Sequence, residues 1–391
     1  MKYLVCCLIM LSGSVANLSA KIGQYEKFTY KIKAEIEGLS QGDTIVFEKI
    51  ILPGWNLEPA FQVIVEEDNG FSYEGTAYHN PYFLMTYKPL SGKEVVTDRR
   101  GITLLVDSNE ITIKGNADNI YYCKVEGGVY NNTYVQEINA LENKLGAERG
   151  LFRRLSMEAE QAGDMPKAKE YREKFNSFTS DNRADYDKRS KLQEEFMEKY
   201  PSSELNVLEM LQTVTYTPLE KLEAYYASMN EDARKSYYGI LLRQEMDNMS
   251  VLEPGNDAPD FMLDMMDGQR ISLNDCIGSY LLIYHFGLCP GSLMIDGEVT
   301  SLYAEYKERL KVIGVTEDVA SIKSWYETVG PSDKMMNMEL KPALESMVSH
   351  PWSDAENKGD NRQLAIDYAF AGLPFFVFIF PEGKILARGF I

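Results

Sequence analysis

Cysteine is scarce in this chain of 391 residues: five in all, two of which, Cys6 and Cys7, fall within the first twenty positions. The other three, Cys123, Cys276 and Cys289, are too few to staple a protein of this size, which excludes a disulfide-rich scaffold. An odd number also leaves at least one thiol unpaired unless it pairs between chains. Histidine is as rare, with 3 residues, and His79 stands alone beside Asn80-Pro81 without the partners a metal site needs, so it reads as a turn or packing residue. No metal and no cofactor are expected. Basic residues number 40 against 59 acidic ones, for a net charge of -19, which argues against nucleic acid and against an anionic membrane surface as partners. Beyond residue 20 no stretch is long and apolar enough for a membrane helix, and no internal repeat or low-complexity linker stands out.

Hydrophobic residues are plentiful at 45%, and the length predicts two or three domains with real cores. Residues 1–20 read as a secretory signal: Lys2, an apolar core from Tyr3 to Leu11, then the small-residue cleavage candidates Ser14-Val15-Ala16 and Leu18-Ser19-Ala20. The apolar run is short for a bilayer span, and an uncleaved signal anchor is the alternative. Cys6 and Cys7 lie inside that run, too early to be lipidation sites. The protein is therefore expected across the inner membrane, in the periplasm or cell envelope.

Residues 26–130 alternate apolar and polar side chains, as in Phe28-Thr-Tyr-Lys-Ile-Lys-Ala-Glu-Ile36 and Ile111-Thr-Ile-Lys114, with frequent turn punctuation such as Pro53-Gly54, Asn69-Gly70 and Asn80-Pro81. Short strands with regular turns predict a β-sandwich-like domain or a small barrel. Cys123, at a strand end, reads as a small buried hydrophobe. Over residues 131–250 the period becomes helical: Ile138, Leu141 and Leu145 share a face, as do Leu192, Phe196 and Tyr200. The mixed charges of 153–199 fit a solvated helical face. The pairs Tyr225-Tyr226 and Tyr237-Tyr238 fit helix packing.

A Pro-, Gly- and Asp-rich boundary, Leu252 to Asp260, opens the last region, 253–391. Strands and helices alternate there, which predicts an α/β layered domain. Its centre is Gly278-Ser-Tyr-Leu-Leu-Ile-Tyr-His-Phe-Gly-Leu-Cys289-Pro-Gly-Ser292: an apolar strand over Tyr280–Tyr284, a turn, then a helix running to about Leu310. A cysteine at the start of a helix faces unpaired backbone N–H groups and the positive end of the dipole, and both favour the reactive thiolate. Further elements expected are a strand at Val312–Val315, a helix around Trp325, a helix from Arg362 to about Phe370, and strands at Phe375–Phe380 and Ile385–Phe390.

Three landmarks in this order resemble the thioredoxin fold, in its bacterial extracytoplasmic branch of thiol–disulfide interchange and alkyl-hydroperoxide-reductase-like domains (TlpA- or ResA-like). Pro254-Gly-Asn-Asp-Ala-Pro-Asp-Phe261 resembles the G-x-x-A-P-x-F opening, Asp267-Gly268 through Leu273 the D-G-x-x-x-x-L hairpin, and Gly372-Leu373-Pro374 with Phe375–Ile385 the cis-proline loop and closing strands. The β-rich front and helical middle also resemble a recurring arrangement in that branch. The resemblance implies Cys289 as the attacking cysteine and Pro374 as the cis-proline, with the backbone of Leu373 free to pair with substrate and Pro290 and Gly291 beside it. Partners would be protein or small-molecule thiols and disulfides.

The pattern departs from the family's C-x-x-C, because Ser292 stands where a second cysteine belongs. His285 and Leu288 replace common tryptophans, Gly297 replaces a helix-kinking proline, and the family's closing helix is missing before Ile391. A sheet face is therefore expected to stay open unless the helical region covers it. A lone thiolate still forms mixed disulfides. The reading is thus monothiol exchange or isomerisation, with Ser292 donating a hydrogen bond to the Cys289 sulfur. His285 is either a base or a packing residue, depending on strand register. Cys276 is either a disulfide partner for Cys289, which requires a Cα separation below about 7 Å, or a buried hairpin cysteine. Two alternatives stand beside exchange: a degenerate thioredoxin acting as a binding or scaffold module, and, less favoured, a peroxidase, since Phe286 and Leu282 occupy the Thr and Pro positions of the P-x-x-x-T-x-x-C loop that chemistry wants.

Overall fold

The structure is a computed structural model that describes residues 26–52, 56–92, 101–128, 133–317, 319–331, 333–335 and 338–390, without the side chains of 133–135 and 334–335. The expected leader (1–20), the Pro53-Gly54 turn and Ile391 lie outside the described residues. The chain divides into two compact units: residues up to Gln212 with Tyr225–Leu242, and Thr213–Ala224 with Arg243 onward.

In the first unit, β1 (Phe28–Glu37) buries Tyr30, Ile32, Ala34 and Ile36 and turns Lys31, Lys33 and Glu35 outward, the period-2 pattern of a strand with one wet face. The remaining strands are β2 (Thr44–Ile51), β3 (Asn56–Ile64), β4 (Gly70–Ala77), β5 (Tyr82–Lys88), β6 (Ile102–Leu105), β7 (Glu110–Asn116) and β8 (Lys124–Glu126). They form two four-stranded sheets, ordered β4-β1-β7-β8 and β3-β2-β5-β6. Ile32, Ile36, Ile111 and Ile113 of one sheet share a core with Ile45, Phe47, Met85 and Leu104 of the other. Cys123 is buried in that core, and burial pushes its thiol up to about 11. His79 stacks on the Tyr237 ring at 3.8 Å.

Seven helices follow among the described residues: α1 (Thr133–Gln161), α2 (Met165–Asp181), α3 (Arg183–Lys199), α4 (Glu204–Thr213), α5 (Leu219–Ser228), α6 (Glu231–Lys235) and α7 (Tyr237–Ser250). Phe196 and Ile138 meet in a small core with Leu192 and Tyr200. No helix among the described residues is long and apolar enough to cross a membrane.

In the second unit, β9 (Met262–Asp264) and β10 (Arg270–Ser272) pair antiparallel around Asp267-Gly268. The main elements then run β11 (Tyr280–Phe286), α8 (Pro290–Tyr306), β12 (Leu310–Thr316), α9 (Val319–Thr328), the two-residue strands β13 (Lys334–Met335) and β14 (Met338–Glu339), α10 (Leu340–Val348), β15 (Asp354–Glu356), α11 (Arg362–Asp367), β16 (Phe375–Ile379) and β17 (Ile385–Gly389). One five-stranded sheet has the order β15-β12-β11-β16-β17. Its first three strands are parallel and the last two antiparallel to their neighbours. Central β11 is covered on both faces, which is why it reads as an unbroken apolar run rather than an alternating one. Leu281 and Ile283 face one core with Phe261 and Tyr368; Tyr284 and Phe286 face another with Leu293 and Val299 of α8.

Two expected boundaries shift. Helix α8 stops at Tyr306, because Lys307–Arg309 turn and Leu310 already pairs with Tyr280 in the sheet. Helix α11 stops at Asp367, because Ala369 has a positive φ of 47° and ends the helical path. Segments of the helical region join this unit: Leu252 enters the core on the Phe261 side, and the Tyr216 ring meets Phe390 edge-on at 6.3 Å. On the α8 side, Tyr280, Phe378 and Leu386 line an open hollow of about 310 Å³ with Leu302 and Tyr306.

Candidate active site

The site lies at the carboxyl end of β11. Cys289 is the N-cap residue of α8 with extended φ/ψ of -128° and 155°, and Pro290 follows in the first turn, where its missing N–H costs nothing. A cap normally offers an oxygen to the first-turn amides; here the Cys289 sulfur does so, accepting from the Ser292 N–H at 3.3 Å. The thiol donates to Ser292 Oγ at 3.1 Å, and that oxygen also accepts from the Gly287 N–H at 3.3 Å. Ser292 is fully buried, whereas Cys289 is half-buried, Pro290 exposed and Leu288 38% exposed. Cys289 is thus half-buried, with the Ser292 hydroxyl held against its sulfur. If the proton leaves, the same Cys289–Ser292 contact reverses, with the hydroxyl rotating to donate to the sulfur.

The Leu373–Pro374 peptide is cis. A Cβ added at Gly291 would meet Pro374 Cδ at 2.8 Å, so the Cys289 turn and the proline loop touch, and only glycine allows that approach. Leu373 lies against Gly287. Among the described residues neither the N–H nor the C=O of Leu373 has a hydrogen-bond partner. Cys289, Ser292, Pro290, Gly291, Leu373 and Pro374 thus come together at the carboxyl end of central β11, beside the start of β16.

Cys276 does not join them. It lies before β11 and Cys289 after it, with a strand of seven residues, roughly 20 Å, between them. Both thiols are free, and Cys276 is 3% exposed in a short turn, where burial raises its pKa. The disulfide alternative therefore falls on distance. The register also decides His285. It shares its face with Ile283 and Leu281, opposite the α8 side, so it is not placed as a base for the thiol. Its Nδ1 lies 3.1 Å from the Gly372 carbonyl and its ring stacks on Phe370 at 4.7 Å. Its Nε2 is buried 3.5 Å from Glu317 without hydrogen-bond alignment. Burial lowers its pKa, and the Glu317 carboxylate and Gly372 carbonyl only partly offset that.

Beneath the helix lies a polar network that the sequence did not suggest. Asp296 sits on the Cys289–Ser292 face of α8, fully buried. It accepts from the Tyr284 hydroxyl at 3.2 Å and faces His350 Nε2 at 3.0 Å. His350 Nδ1 is 2.9 Å from Asp354, which also accepts from the Trp352 indole at 3.0 Å. Burial alone disfavours a charged His350, but the two carboxylates outweigh it and raise its pKa to about 9. Burial and Asp296 together push Tyr284 well above the usual phenol range. The available signal was the rarity of histidine and the i, i+3, i+7 spacing of Cys289, Ser292 and Asp296.

The last third of the chain has a thioredoxin-like fold. Its layout carries that statement: a five-stranded mixed sheet, a cysteine between a central strand and its helix, and a cis-proline loop against it. No family model matches the chain, and no curated protein matches it. Solved structures similar to it include the thioredoxin domain of a thiol-disulfide oxidoreductase from Bacteroides vulgatus, 23% identical over 35% of this chain and 88% of that one, with a TM-score of 0.27. A thiol:disulfide interchange protein from Bacteroides sp. is 23% identical over 35% of this chain and 81% of its own, TM-score 0.28. An exposed lipoprotein thioredoxin from Streptococcus pneumoniae is 19% identical over 34% and 91%, TM-score 0.26.

Proposed function

We propose that the C-terminal unit catalyses thiol–disulfide exchange with a single cysteine, outside the cytoplasm. The Cys289 thiolate attacks one sulfur of a substrate disulfide. That S–S bond breaks, a Cys289–substrate disulfide forms, and the departing thiolate takes up a proton from solvent. A second thiol, from the substrate itself or from a small molecule, then attacks the mixed disulfide and returns Cys289. The two steps exchange one disulfide for another, so no net oxidant is needed. The observation that carries this reading is Cys289 itself: half-buried at a helix N-terminus, its sulfur accepting from the Ser292 N–H and its thiol donating to the Ser292 hydroxyl oxygen. The unpartnered Leu373 backbone supports an extended substrate segment lying beside Pro290 and Gly291. The extracytoplasmic setting rests on the leader-like residues 1–20.

One observation favours a second reading, a binding module without catalysis. Ser292 is tied into the turn by the Gly287 N–H, so the position of the missing sulfur serves local structure. Turnover of insulin or glutathione disulfide separates the two. Exchange predicts that the unsubstituted protein accelerates it and that Cys289→Ser does not. Equal rates in both forms would remove Cys289 from the mechanism and leave the binding module.

A further inference from the structure

The segment before β16 is held at three carbonyls and left open at others, Leu373 among them. Arg388 donates to the Tyr368 carbonyl at 3.3 Å and to the Ala369 carbonyl at 2.9 Å. His285 meets the Gly372 carbonyl at 3.1 Å. Phe390 closes on Gly372, where an added Cβ would come within 3.2 Å of its ring. Leu373, next in line, has an unpartnered N–H and C=O. Because Nδ1 faces a carbonyl, it is the protonated ring nitrogen. That leaves Nε2 buried and unsatisfied. A half-satisfied imidazole inside a central strand costs stability that an aliphatic side chain would not. Its return is the fixed Gly372 carbonyl.

We propose that His285 is a positioning residue: its Nδ1–H pins the Gly372 carbonyl and so presents the Leu373 backbone, in one fixed orientation, to disulfides carried on extended peptide. This rests on the exchange reading above. A disulfide with no peptide backbone has nothing to pair with Leu373 and does not use the clamp. The substrate class is therefore peptide or protein disulfides in extended conformation, engaged by strand-like pairing.

Two isosteric variants test this in the full chain. The amide of His285→Asn can place an N–H near the Nδ1 position, whereas His285→Gln moves it toward Nε2. The probes are a disulfide-linked dimer of a ten-residue peptide and bis(2-hydroxyethyl) disulfide. The expected result is a KM for the peptide dimer raised about tenfold in H285Q with kcat within twofold, and near-normal values in H285N. Turnover of the backbone-free probe should change less than twofold in either. Equal losses on both probes, or an unchanged peptide KM in H285Q, overturn the proposal. Hydrogen exchange over residues 370–374 reads the clamp without turnover and should be faster in H285Q than in H285N. If the unsubstituted protein shows no Cys289-dependent exchange, the functional reading itself fails. If exchange is present while 370–374 is equally protected in both variants, only the clamp fails.

Discussion

Two cysteines flank the same strand and live in opposite conditions. Cys276 lies at the amino end of β11 in a short turn closed by Ser272 and Asp275, 3% exposed, with burial disfavouring its ionised form. Cys289 lies at the carboxyl end, half-exposed, capping a helix and hydrogen-bonded to Ser292. The residue type is the same and the strand is shared. What differs is which end of a parallel strand each sulfur occupies: the end that feeds a helix N-terminus gathers donors and solvent, and the other end gathers core side chains. On the exchange reading proposed above, reactivity is a property of position in the sheet.

The largest expected effect breaks the comparison outright. Cys289→Ser should lower disulfide exchange at least a hundredfold, while Cys276→Ser should change it less than twofold; activity assays on both variants decide it. Restoring a second sulfur should sharpen it. Ser292→Cys places a thiol where a hydroxyl now lies 3.1 Å from Cys289, so mixed disulfides should decay at least tenfold faster, as followed by mass spectrometry of a glutathione adduct. Ser292→Ala removes the hydroxyl that accepts from the thiol and, once the proton leaves, would donate to the thiolate, a bond worth about 0.5–1.5 kcal/mol. Native alkylation of Cys289 at pH 7 should slow by roughly two- to tenfold on that energy, with Cys276 unaffected.

The smallest effect on the contrast comes from pH. His350 titrates higher in the folded protein, at about 9, than at its ordinary value of 6.5. Its contribution to stability is therefore full below pH 6.5 and is lost as pH rises through about 9. The amount is on the order of 3 kcal/mol. Denaturant midpoints should fall between pH 7 and 10 in the natural protein and fall less in His350→Leu. Cys276 should label at high pH only as fast as the unit unfolds, whereas Cys289 should label without unfolding.

Much of this site was legible in the sequence because its signals are local. An apolar run, a cysteine followed by Pro-Gly, and Gly372-Leu373-Pro374 before a second apolar run each declare a strand, a helix start or a loop within a few residues. β15 was not legible: Asp354-Ala-Glu356 is too short to show a period and is a strand only because β12 lies beside it. α10 was also missed, since Pro342 in its first turn reads as a breaker although that position tolerates it. The role of His285 depended on register, which a buried strand without alternation does not reveal. The Asp296–His350–Asp354 network joins residues from α8, the segment after α10 and β15, and only the packed sheet brings them together.

The most direct test of position over identity is a map of mixed disulfides on the native protein. After brief exposure to oxidised glutathione at pH 7 and acid quench, peptide mass spectrometry should find one glutathione on Cys289, removable by thiol, and none on Cys276 or Cys123. Equal modification of Cys276, or a bare Cys289, would contradict the account.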